Sequence, residues 1–157
     1  MVEKRRAEFL AQFDTLPTQI NDPDDRKHSR ELARYYEQKS FELRTFGTNF
    51  LLASNGAGLA LTANGVANSH LSATLGTVAV MAIFAWGAGA AFHAHMSWRA
   101  VAAKLRNYHL DLAKGEDANT SLDALRHEWG TPIASVRVAM ACLITGMLAL
   151  LVLLFWR

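Results

Sequence analysis

The sequence holds one cysteine, Cys142, and three prolines in 157 residues. A lone thiol excludes a disulfide framework and a cysteine-built metal site. With proline only at Pro17, Pro23 and Pro132, long stretches lack the strongest helix breaker. A block of charge of one sign is missing too. The net charge is +2 and basic residues alternate with acidic ones, which argues against nucleic acid as a partner. The amino-terminal MVEKRRAEFLAQF is basic, but no apolar run with a small-residue cleavage site follows it, so no signal peptide is expected. GxSxG, HExxH, CxxC and phosphate-loop patterns are absent, and the glycines of Gly56–Gly58 do not follow a strand. Glu116 and Asp117 sit in a hydrophilic loop with nothing to tune them as an acid–base pair. The expectation is a protein that is not an enzyme, with no catalytic, cofactor-binding or metal residues.

What the sequence does have is length without charge. Three stretches, at 46–67, 71–97 and 132–156, are long enough to cross a membrane and carry almost no ionised side chains. Two charged stretches, 1–45 and 98–131, precede and separate them. The fold class that follows is all-α and integral to a membrane, with three transmembrane helices and cytoplasmic helical extensions. Lys4, Arg5, Arg6, Arg26, Lys27, Arg30, Arg34, Lys39 and Arg44 precede the first span, and Arg99, Lys104, Arg106, Lys114 and Arg126 lie between the second and third. Only Arg157 lies on the other side. Lysine and arginine favour the cytoplasmic face, so the amino terminus and the long loop are expected there and the carboxyl terminus outside.

Local signals divide the charged stretches. Residues 3–13 read as a short amphipathic helix, and 14–25 as a linker. Asn21 or Asp22 can cap a helix with Pro23 in its first turn, and no breaker follows before Gly47, so one continuous helix is expected from 23 to 67. The helix of the second span should run on past Trp98 until Gly115 stops it. Thr120 or Ser121 is the expected cap of a short helix ending near Trp129, and Pro132 suits the start of the last one.

Polar and small residues inside the spans are the candidate site. Thr48, Asn55 and Thr62 recur at seven-residue spacing and so share one helix face, with Gly58 beside them. Gly87 and Gly89 lie on two lines of the second span, Gly87–Ala91–His95 and Ala85–Gly89–His93. Small residues let helix backbones approach, and a buried amide can bond across the contact. This set is expected to face packed helices or a pore, with the first span inside the assembly and the third forming its lipid-facing wall. His93 and His95, two apart on a helix, point in different directions and do not suit a shared ion. Trp98 and Arg99 suit an interface with lipid headgroups. Arg137 lies about 8 Å into the third span at roughly 1.5 Å per residue, within reach of the headgroups by snorkelling.

The junction FELRTFGTNFLLASNGAGLALTANG runs a charged helix into a span bearing Asn55-Gly56-Ala57-Gly58. It resembles uncharacterised small bacterial inner-membrane proteins in which a cytoplasmic helix leads into an Asn-Gly-small-small transmembrane segment, often Asn-Gly-Gly-Ala. Here the second glycine stands one place later. The resemblance implies a multi-pass protein of the bacterial inner membrane and no activity. The functional expectation is a homo-oligomeric membrane assembly, channel-like or membrane-perturbing, controlled through its cytoplasmic helices. The alternative is an accessory or scaffold subunit that holds a cytoplasmic protein partner through the loop at 98–131. Membrane lipids and further copies of the chain are the expected partners, and no cofactor is expected.

Overall fold

A computed structural model describes residues 15–38, 40–68, 70–72 and 74–155, without the side chains of 37–45. The amphipathic helix expected at 3–13 lies outside the described residues. The chain is all-α, with no strand among the described residues. Helices α1 (Pro23–Gln38), α2 (Ser40–Ala67), α3 (Leu75–Lys114), α4 (Asn119–Glu128) and α5 (Gly130–Phe155) follow in order. Residue 39, on which the expected continuity from 23 to 67 depends, is outside the described set.

The helix ends follow from identifiable chemistry. Asp22 caps α1: its Oδ1 accepts the Asp24 N–H at 2.9 Å, with Pro23 at the first helical position. Asp24 and Asp25 then place negative charge where the helix dipole favours it. Helix α3 starts at Leu75, later than 71, because the turn before it is itself bonded. His70 and Leu71 N–H groups return to the Gly65 carbonyl, and Thr77 Oγ1 donates to Ser72 O at 2.7 Å. Thr74 Oγ1 receives the Thr77 N–H at the new helix's first turn. At its far end α3 stops at Gly115, whose φ of 79° is the left-handed conformation that glycine adopts without strain. The Gly115 N–H bonds Leu112 O and the Glu116 N–H bonds Asp111 O, the paired geometry of a Schellman stop.

Helix α4 is capped differently from expectation. It begins at Asn119, ahead of Thr120 and Ser121, and the capping position, Ala118, has no side chain to offer. The Asp117 carboxylate accepts the Asn119 N–H at 3.0 Å instead. Ser121, inside the helix, donates to the Asp111 carboxylate of α3. Trp129 has helical angles (φ −60°, ψ −34°), so α4 and α5 are nearly continuous.

Among the described residues two helical stretches are long and apolar enough to cross a membrane, Leu75–Lys114 and Asn119–Phe155. Helix α2 does not reach that mark. Asn49, Asn55 and Asn64, with Thr48, Ser54 and Thr62, dilute its apolar content.

The described residues form two compact units, one within 15–43 and 97–130, the other within 44–96 and 131–155. We call them the polar and the apolar unit. The polar unit has a conventional core. Val101, Tyr108 and Leu112 of α3 meet Leu122 and Leu125 of α4, with Leu16, Ile20 and Trp129 packed around them. The segment before α1 is therefore docked and not a free linker. Tyr108 Oη donates to Pro17 O at 2.7 Å, and the Ala118 N–H bonds Thr18 O at 2.9 Å.

Candidate functional site

In the apolar unit α2, α3 and α5 meet along a line of small and polar residues. Thr48, Asn55 and Thr62 are all buried, Asn55 and Thr62 completely. The heptad spacing places them on one face, and that face is covered by the other helices of the same chain. Thr62 Oγ1 returns to the Gly58 carbonyl at 2.8 Å, so its hydroxyl is satisfied within its own helix.

Asn55 is the hub. Its Nδ2 donates to Leu51 O at 2.9 Å on α2 and to Ala139 O at 3.3 Å on α5. Two carbonyl acceptors fix which end of the amide points there. The remaining atom, Oδ1, is buried and receives no hydrogen bond. It lies against Gly87 of α3, where an added Cβ would overlap the Asn55 amide and come within 2.8 Å of Cys142 Cβ. Gly87 is thus required by the close approach of α2 and α5 to α3.

One turn away a single ring fills the remaining space. Phe84 of α3 is completely buried between two glycines. A Cβ on Gly58 would meet its Cδ1 and Cζ at 2.6 Å, and one on Gly146 would meet its Cε1 at 2.7 Å. Gly146 is a packing position that sequence reasoning missed. Its signal was available, since it is the only glycine in the leucine-rich second half of α5.

Gly89 separates from Gly87. It is exposed, and nothing lies within 4 Å of where its side chain would be. The line Gly87–Ala91 faces inward, while Ala85–Gly89–His93 faces outward. With Ala90, Ala134 and Val138 this outer line forms a shallow groove between α3 and α5, walled by the exposed Trp86. His93 Nδ1 and Ser135 Oγ close one end of it at 2.9 Å. Ser135 Oγ also donates to Thr131 O at 3.1 Å, which commits its one proton, so the His93 Nδ1–H donates to Ser135. Arg137 is exposed, two residues on from Ser135.

The two other interface candidates lie in the polar unit. Trp98 packs edge-to-face on Trp129, with ring centroids 6.0 Å apart, and so is tied into that unit's core. Arg99 is exposed beside it.

The polar unit also holds the groups whose ionisation is perturbed. His109 stacks on Tyr36 of α1 at 5.3 Å and meets Tyr108 edge-on at 5.1 Å. Burial, and then the positive charge of His28, hold its imidazole below the usual histidine range. Burial pushes the Tyr108 phenol up. A hydrogen bond and the charge of Lys104, 2.9 Å away, pull the Glu128 carboxyl down. The Arg26 guanidinium lies over the end of α3, within 2.7 Å of a Cβ built on Gly115, a favourable place for a cation beside helix carbonyls. Glu116 pairs with Lys114, and Asp117 is spent on capping α4. Among the described residues no group of three or more His, Cys, Asp or Glu side chains is placed to hold a metal ion.

Compared with protein-family models, curated proteins and solved structures, the chain matches none.

Proposed function

We propose that the chain is a multi-pass protein of the bacterial inner membrane that acts by assembly and not by catalysis. Helices α2, α3 and α5 are its three spans, and the polar unit is its cytoplasmic part. One observation carries this reading. Among the described residues, every large apolar side chain that is strongly exposed, except Tyr35, belongs to the apolar unit, and they include Phe46, Trp86, Ile144, Leu151 and Phe155. The same unit hides Thr48, Asn55, Thr62 and Thr77. A surface of that composition is far beyond what a water-soluble monomer exposes, and it suits hydrocarbon. The two stretches that pass on length and composition supply two of the spans. Helix α2 fits as a third because its polar face is covered by α3 and α5, leaving Phe46, Phe50 and Leu61 outside.

Within that frame, homo-oligomeric association is the leading reading and a scaffold holding a partner through residues 98–131 is the second. A pore lined by Thr48, Asn55 and Thr62 loses its motive, because these residues are buried within one chain. A channel-like or membrane-perturbing activity would have to be built between copies. The resemblance of the Asn55–Gly58 junction to small bacterial inner-membrane proteins supports the same localisation. Detergent extraction with mass measurement by light scattering tests the leading reading. A discrete homo-oligomer is expected, whereas a monomer would favour the scaffold. Release of the protein from membranes by alkaline carbonate would overturn the membrane reading itself.

A further inference from the structure

Helix α1 is joined to the rest of the polar unit by little apolar surface. Half of its 16 residues are aspartate, glutamate, lysine or arginine, and among its described side chains only the small Ser29 and Ala33 are buried. Two contacts mark its ends. At one, the Arg26 guanidinium lies over Gly115 and its Nε donates to Ile20 O at 2.9 Å. At the other, the Tyr36 ring lies flat on His109 of α3, with centroids 5.3 Å apart and planes within 10° of parallel. An element with so few buried apolar contacts belongs to the part of a domain that opens first. The His109 Nδ1 is buried and makes no hydrogen bond. A neutral ring with its proton on Nε2 tolerates this, because the buried nitrogen then carries only a lone pair. An imidazolium would place a second N–H donor there, and part of its charge, against nothing that accepts it.

We propose that the Tyr36–His109 stack is an acid-sensitive latch: when His109 takes up a proton, α1 leaves α3 while the core of Tyr108, Leu112, Leu122 and Leu125 stays closed. The groups that act on the ring are Tyr36 and His28 from α1 and Tyr108, edge-on at 5.1 Å, from α3. Of these only His28 gains charge in acid, and that charge is positive. Arg106, three residues before His109 on α3, is a further cation. The carboxylates of α3 and α4 are engaged elsewhere, Asp111 with Ser121, Asp123 with Arg126 and Glu128 with Lys104. Asp24, Asp25, Lys27, Arg30, Glu31 and Arg34 of α1 are exposed to water. Attraction of the cation to the face of Tyr36 is a weaker effect than the desolvation of an unpaired charge. Burial and the His28 charge hold the docked imidazole below the usual histidine range, so the open state binds the proton more readily. Docking is complete above about pH 6.5 and weakens as pH falls through that value. The latch lies wholly in the polar unit and operates whether or not the apolar unit crosses a membrane.

Hydrogen–deuterium exchange of the full chain in detergent, corrected for the pH dependence of intrinsic exchange, tests the proposal. The α1 amides should lose protection several-fold between about pH 7.5 and about pH 5, while those of the α3 and α4 core hold. His109→Phe keeps a ring in the stack that takes no proton, and should hold α1 closed across the range. His28→Gln, at an exposed position, should reduce the acid loss by removing the second charge. Tyr36→Ala should leave α1 open at both ends of the range. Unchanged α1 protection in the unsubstituted chain overturns the latch. So does an acid loss that persists in full in His109→Phe or, where that variant does not fold, in His28→Gln. Loss of protection at Tyr108, Leu112, Leu122 and Leu125 together with α1 also overturns it, since the whole unit would then be loosening.

Discussion

The two units invert one another. In the polar unit the large side chains are inside. Tyr108, Leu112, Leu122 and Leu125 are buried, while Arg30, Glu31 and Arg34 of α1 are exposed. In the apolar unit the interior is rich in glycine, alanine, threonine and asparagine around the ring of Phe84, with Leu51, Leu71 and Val80 the other larger buried side chains, while Leu61, Leu148, Leu151, Met140, Met147 and Trp86 lie outside. The first is held by removal of apolar surface from water. The second cannot be, because it leaves so much of that surface uncovered. It has close backbone approach and the Asn55 bridge, which on the proposed membrane reading are the means by which its helices associate. One chain thus uses both kinds of interior.

Six substitutions and a pH titration test that contrast. The largest effect is expected from Leu125→Ala, which leaves a cavity in the polar core and should cost about 2–5 kcal/mol in urea unfolding followed by circular dichroism. Leu148→Ala, on the exposed side of α5, is its control and should leave the unfolding of detergent-solubilised protein unchanged. If the two cost the same, the inversion is wrong. Next is Ile144→Lys, which presents a charge at the middle of the proposed span, where hydrocarbon is expected. It should disfavour insertion by about 2.5–3.5 kcal/mol, read as the inserted fraction in a translocation assay. Asn55→Ala removes the bridge to Ala139 and should weaken helix association by about 0.6–2 kcal/mol, measured as loss of thermal stability in detergent.

The pH titration separates the units by a different route. His109 is held below its ordinary value in the folded state, so the unfolded chain binds more protons as the solution becomes acidic. The stability tied to this group is complete above about pH 6.5 and is lost as pH falls through that value toward the lower folded one. Trp98 and Trp129 lie in the polar unit, and their fluorescence should report the loss. His109→Phe should flatten the profile. The smallest effect is expected from Glu128→Gln, which breaks a half-exposed pair with Lys104 and should cost no more than about 0.2–1 kcal/mol, less at high salt.

Much of the helical layout could be read from sequence because it rests on neighbours in the chain. Asp22 with Pro23, Gly115 at the end of α3, and the heptad of Thr48, Asn55 and Thr62 are local patterns that translate directly into caps, a stop and a face. What escaped depends on contacts distant in sequence. Pro17 reads as part of a linker, and only the fold brings Tyr108 to its carbonyl. Thr120 and Ser121 read as caps, but the Asp111 carboxylate engages Ser121 and Asp117 takes over the cap. Gly87 and Gly89 look equivalent in a glycine–alanine run. Their difference appears only once α2 and α5 are in place, one glycine pressed against Asn55 and the other open. Helix α2 is the opposite case. Its length reads as a span, yet its asparagines keep it below the mark that α3 passes.

The clasp on Phe84 has a consequence for the order in which the chain can mature. Gly58 and Phe84 lie on consecutive helices, but Gly146, which covers the ring from the other side, belongs to α5, made after both. Until that helix arrives, one side of the ring has no cover and the Asn55 amide lacks its acceptor on Ala139. The α2–α3 hairpin is therefore unfinished until α5 has been made. A ribosome stalled before Thr131 would leave an intermediate with an open aromatic face.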